Sequence, residues 1–232
     1  MKKILLLAVS ILALTIPKSH ASDGFLENGN FGAEPGYVYK RVEKRADSNE
    51  LKNEIVPYFV PWEFNRKLDV PYRQQITNYY CGPACVQMVC DYYKLNTSRT
   101  QHTYAKDLGT NSSVGTYGSR IPAVLNKYIV SYKYDYYQGD RGFQDFLDSA
   151  YYTIKNRAPV IINMRSEHLS SSAWPYKISG HFVVLSSMRY DSGMKKFVGD
   201  IKDPWYRSPK QYQVTYPQIY EVMMKHNQAM IF

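Results

Sequence analysis

"QQITNYYCGPACVQMVC", residues 74–90, holds all three cysteines of a 232-residue chain: Cys81, Cys85 and Cys90. Cysteines that staple a fold are spread along it to close loops, and these crowd into one segment. From position 83 to about 93, Ala84, Cys85, Met88, Val89 and Tyr92 recur at helical spacing and form one apolar stripe. Pro83 suits the first turn of that helix, where its missing N–H leaves nothing unsatisfied. Cys81 then falls at or just before the helix start, where free backbone N–H groups and the helix dipole favour an anion and lower a thiol's pKa. Gly82 is expected to turn the backbone tightly, so that the sulfur faces a cleft. Cys85 rides on the stripe and reads as an ordinary buried thiol, while Cys90 lies off it and receives no role. Three thiols cannot all pair, and cysteines on one helical face rarely meet disulfide geometry. No nearby histidine completes a metal-ligand set. Cys81 is the candidate nucleophile.

A nucleophilic cysteine needs a base, a group that orients the base, and a donor to the oxyanion. Past residue 21 the histidines are His102, His168, His181 and His226. His102 and His226 stand in polar helical surroundings and read as surface residues, and His168 falls in the loop-like RSEHLSSS. His181 opens GHFVVLSSM, a β-rich run that starts a buried strand, where a base can be held rigidly. Downstream, FVGDIKDPW offers Asp200 and Asp203. A strand ending at Asp203-Pro204 beside the His181 strand lets that carboxylate accept from the imidazole and fix its tautomer. Gln75, six residues before Cys81, can fold back to bring its amide beside the sulfur, with Gln74 as the neighbouring alternative.

Composition is 44% hydrophobic, 15% aromatic and 21% charged, far from that of a disordered chain and enough for the core of one large domain. The 23 tyrosines imply a partly exposed aromatic surface. Residues 1–21 read as a signal peptide, with Lys2 and Lys3, an apolar stretch over 4–16, and the small-x-small Ser19-His20-Ala21. That stretch is too short to span a bilayer, and no later segment is long and apolar enough. Export, to the periplasm or outside the cell, is therefore expected. Losing Lys2, Lys3 and Lys18 takes the formal charge from +9 to +6. Without a long basic run this charge does not indicate nucleic-acid binding, though it would favour an anionic cell-envelope polymer as a partner. Residues 22–66 read as an arm or pro-segment, in which KRVEKR (40–45) is a plausible processing site, and 67–232 as the folded domain. Helices are expected over 83–93, 103–108, 120–128, 143–155 and 217–225. Strands are expected over 129–137, 160–164, 181–188, 195–201 and 211–215. Segregated helix and sheet blocks of this kind point to an α+β fold.

The segments VPYRQQITNYYCGPACVQMVCDYY, GHFVVL and IKDPW, in that order over residues 68–205, resemble the papain-like cysteine peptidases of the bacteriocin double-glycine leader-peptidase family and its stand-alone relatives. The resemblance implies a helical half carrying the nucleophile and an antiparallel sheet half carrying histidine and aspartate. It assigns Cys81 as nucleophile, His181 as base, Asp203 as orienting acid and Gln75 as oxyanion donor, with no cofactor and no metal. Leader peptidases of that family are commonly fused to an ABC transporter, whereas this sequence carries an expected export signal. The implied activity is hydrolysis of a peptide or protein substrate. Two alternatives stand beside it: an amidase or transpeptidase on cell-envelope peptides, and a catalytically inactive binding module on the same scaffold.

Overall fold

The computed structural model describes residues 60–95, 98–140, 142–167, 174–208 and 210–232. The expected signal peptide, nearly all of the expected arm, and His168 lie outside them. Helix α1 (Cys81–Tyr92) is followed by α2 (Gln101–Leu108), a 3-10 turn (Gly118–Arg120) and α3 (Ile121–Tyr128), which together make the helical half. After α4 (Gly142–Lys155) come strands β3 (Val160–Met164), β4 (His181–Leu185), β5 (Ser187–Asp191), β6 (Lys196–Lys202) and β7 (Gln211–Thr215), and then α5 (Tyr216–Met224). Three short strands complete the sheet: β1 (Asn65–Lys67), β2 (Tyr136–Gln138) and β8 (Ala229–Ile231). Every pairing is antiparallel, in the order β1-β5-β6-β4-β3-β8-β2, with β7 also on β6. The fold class is α+β, as expected.

The sheet separates two cores, and strand alternation explains how. On β4, Phe182 and Val184 turn toward the α1 side, where they meet Cys85, Met88 and Val89. Val183 and Leu185 turn the other way, onto a core shared with Phe146 of α4 and Ile219 of α5. A strand buried on both faces must be apolar throughout, which is why FVVL reads as a continuous run. α1 is likewise buried nearly all round, so its single stripe was too narrow a reading. Cys90 is fully buried beside Tyr104 of α2. Burial raises the thiol pKa of Cys90 to about 11, and that of Cys85 well above the ordinary value. All three cysteines are free.

Two strand expectations need correction. Residues 129–135 form no strand, because the Asn126 side chain clasps the Tyr134 backbone on both sides. Tyr134 N donates to its Oδ1 and its Nδ2 donates to Tyr134 O, each at 2.7 Å. Those backbone groups therefore need no sheet neighbour. The run 181–188 breaks at Ser186, whose N and Oγ both donate to Asp200 O, dividing β4 from β5.

Candidate active site

α1 begins at Cys81, two residues before Pro83, and its first intrahelical bond runs from Ala84 N to Tyr80 O at 2.9 Å. The amides of Cys81 and Gly82 therefore belong to the helix start, where backbone donors have no intrahelical acceptor. Gly82 is needed for a reason other than the expected tight turn. A Cβ there would lie 2.4 Å from Thr116 Oγ1 and 2.6 Å from Thr116 Cβ. Thr116 is itself buried and bonds Thr110 Oγ1 at 2.7 Å, so the loop before α3 presses directly on the residue after Cys81.

His181 opens β4, and β6 runs beside it with Val184 opposite Lys202 and Leu185 opposite Ile201. One further step of that register puts Asp203 opposite Val183. His181 and Asp203 are then diagonal neighbours on one face, within reach of each other's side chains. His181 Nε2 meets Asp203 Oδ1 at 2.9 Å, with both side chains almost wholly buried. The same imidazole lies within interaction range of Cys81, whose proximity favours its protonated form. Because Nε2 is taken by the carboxylate, Nδ1 is the ring nitrogen left for the sulfur. Asp200, three residues earlier, falls on the opposite face and pairs with Lys67 at 3.2 Å. Of the two carboxylates left open by the sequence, only Asp203 meets the histidine.

Electrostatically, burial alone would lower the His181 pKa. The Asp203 charge, its hydrogen bond and Cys81 outweigh burial and raise it to about 9. Burial pushes Asp203 up, but the imidazolium and hydrogen bonds from His181, Tyr176 and Tyr212 hold it below the usual carboxylate value. Oδ1 also accepts from Trp205 N at 2.9 Å. Oδ2 accepts from Tyr176 and Tyr212, the latter at 2.7 Å. The rings of Tyr176 and Trp205 stand edge-on to His181, at centroid distances of 6.3 and 6.2 Å.

Gln75 is buried and Gln74 exposed, which separates the two candidates. Gln75 N donates to Pro204 O at 2.9 Å, tying the segment before Cys81 to the residue after Asp203. Gln75 Nε2 spends one hydrogen on Thr77 O at 2.8 Å and keeps a second. The buried side chain of Gln101, the first residue of α2, spans this turn. Its Nε2 donates to Gln74 O at 2.7 Å, and its Oε1 accepts from Ile76 N at 3.1 Å. Gln101, Tyr176 and Tyr212 were not identified from the sequence. Only the abundance of tyrosine hinted at the last two, and nothing in the local pattern marks Gln101. His102 is exposed and pairs with Tyr80 through Nδ1 at 3.2 Å, and His226 is half-buried after α5. Among the described residues, no group of three His, Cys, Asp or Glu side chains could hold a metal, and no helix is long and apolar enough to cross a membrane.

Residues 67–229 match the family described as Peptidase_C39 like. No curated protein matches the sequence. Among solved structures, the chain is similar to a double glycine motif protease from an AMS/PCAT transporter, in complex with its leader peptide. That match has 16% identity and a TM-score of 0.46, over 73% of this chain and 97% of the other. It is also similar to digestive procathepsin L 3 of Tenebrio molitor larval midgut, at 8% identity and a TM-score of 0.49, over 76% and 71% of the two chains. The family match covers well over half of the sequence and rests on the segment that carries the cysteine, the histidine strand and the aspartate. The chain belongs to the Peptidase_C39 like family and is a cysteine peptidase.

Proposed function

We propose that this peptidase hydrolyses peptide bonds through Cys81, His181 and Asp203, with Gln75 as an oxyanion donor. The observation that carries the reading is the buried chain of contacts from Cys81 through the His181 ring to Asp203. The Cys81 thiolate attacks the substrate carbonyl carbon, forming a C–S bond and a tetrahedral oxyanion. The second hydrogen of Gln75 Nε2 and the Cys81 backbone N–H stabilise that oxyanion. Imidazolium His181 gives its proton to the departing amine as the C–N bond breaks, leaving a thioester. Water then attacks the thioester, losing its proton to His181, and the C–S bond breaks to release acid and enzyme. Asp203 holds the ring so that Nδ1 stays toward sulfur throughout.

In the same reading, residues 1–21 direct export, 22–66 form an arm or pro-segment, and 67–232 are the catalytic domain. The test is brief, low-dose iodoacetamide treatment near pH 6, with peptide mass spectrometry, on the mature protein and on His181→Ala. Selective alkylation of Cys81 that slows at least tenfold in the variant supports the pair. Equal rates in the two proteins remove it. Product analysis with an added amine then separates hydrolysis from transfer to an envelope peptide.

A further inference from the structure

We infer that Tyr176 and Tyr212 are positioning residues that tune how tightly His181 holds its proton, acting through Asp203. Both hydroxyls donate to the same oxygen, Oδ2, while His181 Nε2 and Trp205 N occupy Oδ1. A carboxylate sealed in the interior would otherwise direct its whole charge at the one imidazole it touches. Two phenolic donors on the far oxygen draw part of that charge away and fix the carboxylate plane. The other groups facing this cluster are Cys81 beyond the imidazole, and Tyr72 and Cys85 within electrostatic range of Asp203. Burial and the Asp203 charge hold both phenols protonated far above their ordinary range, so they remain donors at every working pH. The two tyrosines reach Asp203 from different segments. Tyr212 stands on β7 beside β6. Tyr176 stands on the loop entering β4, whose neck is closed by Ser166: its Oγ donates to Tyr176 O at 2.6 Å and accepts from Ile178 N at 3.1 Å.

The consequence is chemical and has a sign. When His181 protonates the leaving amine, Asp203 loses its cationic partner while still buried. The phenols stabilise the carboxylate through that step, so the proton leaves more readily. Removing either hydroxyl leaves Oδ2 with one donor fewer, so more of the carboxylate's charge acts on the imidazolium, which becomes harder to deprotonate. This inference rests on the proposed triad. The experiment follows the His181 ring signals by NMR against pH in the reduced protein, in Tyr176→Phe, in Tyr212→Phe and in the double variant. Selective Cys81 alkylation by iodoacetamide is measured on the same samples. Each single variant is expected to move the His181 midpoint upward from about 9 by roughly half a unit, and the double variant by more. A midpoint that stays put or falls overturns the inference. Phenylalanine preserves ring volume, and if Tyr176→Phe does not fold, Tyr212→Phe alone decides. Failure of the triad reading looks different: Cys81 alkylation in the otherwise unaltered protein would be insensitive to His181→Ala.

Discussion

Replacing Gly82 by alanine tests whether the helix start is fixed by the contact beneath it. The added Cβ would sit 2.4 Å from Thr116 Oγ1, 2.6 Å from Cβ and 2.8 Å from Cγ2, where ordinary contact begins at 3.4 Å. The shortfall is about 1 Å, and rotating Thr116 does not remove it, since Thr116 Cβ belongs to the clash under every rotamer. Nor is the loop free to retreat. Asn111 and Gly115 exchange backbone bonds at 2.9 and 3.1 Å, and Thr116 Oγ1 is held by Thr110. Overpacking of this kind costs about 1–3 kcal/mol, or a Tm loss of about 2–12 °C for a domain of this size. Because the residue that must move adjoins Cys81, a displacement near 1 Å should also reduce turnover by about 10²-fold. Thermal unfolding and the rate of Cys81 alkylation read the two effects separately. Thr116→Gly in the same chain removes all three clashing atoms and should recover much of both losses, giving a clear coupling in the double-mutant cycle. A Gly82→Ala protein with unaltered Tm and alkylation rate would refute the argument that this contact sets the position of the thiol.

Three further outcomes follow from the geometry. Gln75→Ala should lower peptide turnover by about two to three orders of magnitude while leaving Cys81 open to alkylation; near-full turnover would remove the oxyanion role. For stability, the His181 pKa of about 9 lies above its unfolded value of about 6.5. The pair's contribution, on the order of 3 kcal/mol, is therefore complete below about pH 6.5 and lost as pH rises toward 9. Tm measured across that window should fall in the natural protein and stay flatter in His181→Gln, and parallel curves would contradict the assignment. Arg73 Nε meets Asp91 Oδ2 at 2.6 Å, with the arginine 43% exposed and the aspartate 3%. Arg73→Ala strands a buried carboxylate and should cost about 3 kcal/mol, clearly more than Asp91→Ala, whose freed guanidinium reaches water. Equal losses in chemical denaturation would mean that the burial asymmetry does not matter.

The parts of the fold legible in the sequence were those governed by local physics. Helical recurrence of apolar residues located α1, and long uniform runs located β3 and β4, because burial on both faces leaves no polar position. The short strands β1 and β8 span three residues each, too few for a period-two pattern, and exist only because neighbouring strands offer partners. The 129–135 segment looked like a strand because its tyrosines are good β formers. The side-chain amide of Asn126, near the end of α3, satisfied the Tyr134 backbone instead. At the site, Cys81 and His181 announce themselves by their immediate neighbours. Gln101, Tyr176 and Tyr212 do not, since their roles depend on which loop passes within hydrogen-bonding distance in the folded chain.

The choice between Asp200 and Asp203 shows where sequence reasoning gains or loses its footing. Side chains on a strand alternate faces, so residues three apart must lie on opposite sides. Once Val184 opposes Lys202, Asp203 is committed to the face of His181, and Asp200 to the face where Lys67 waits. Parity was readable from the sequence, but register was not, and register decides. The energetics then give the arrangement its meaning. Sinking an imidazolium and a carboxylate into the interior costs several kcal/mol per ion before their attraction is counted, and apolar residues of similar volume often hold a fold as well or better. Asp203 has both oxygens filled by four donors, and His181 stands between two aromatic rings. Stability alone gives no reason for so costly a cluster, one that raises the His181 pKa to about 9. The cluster is better understood through the company the ring keeps, the nearby thiol of Cys81.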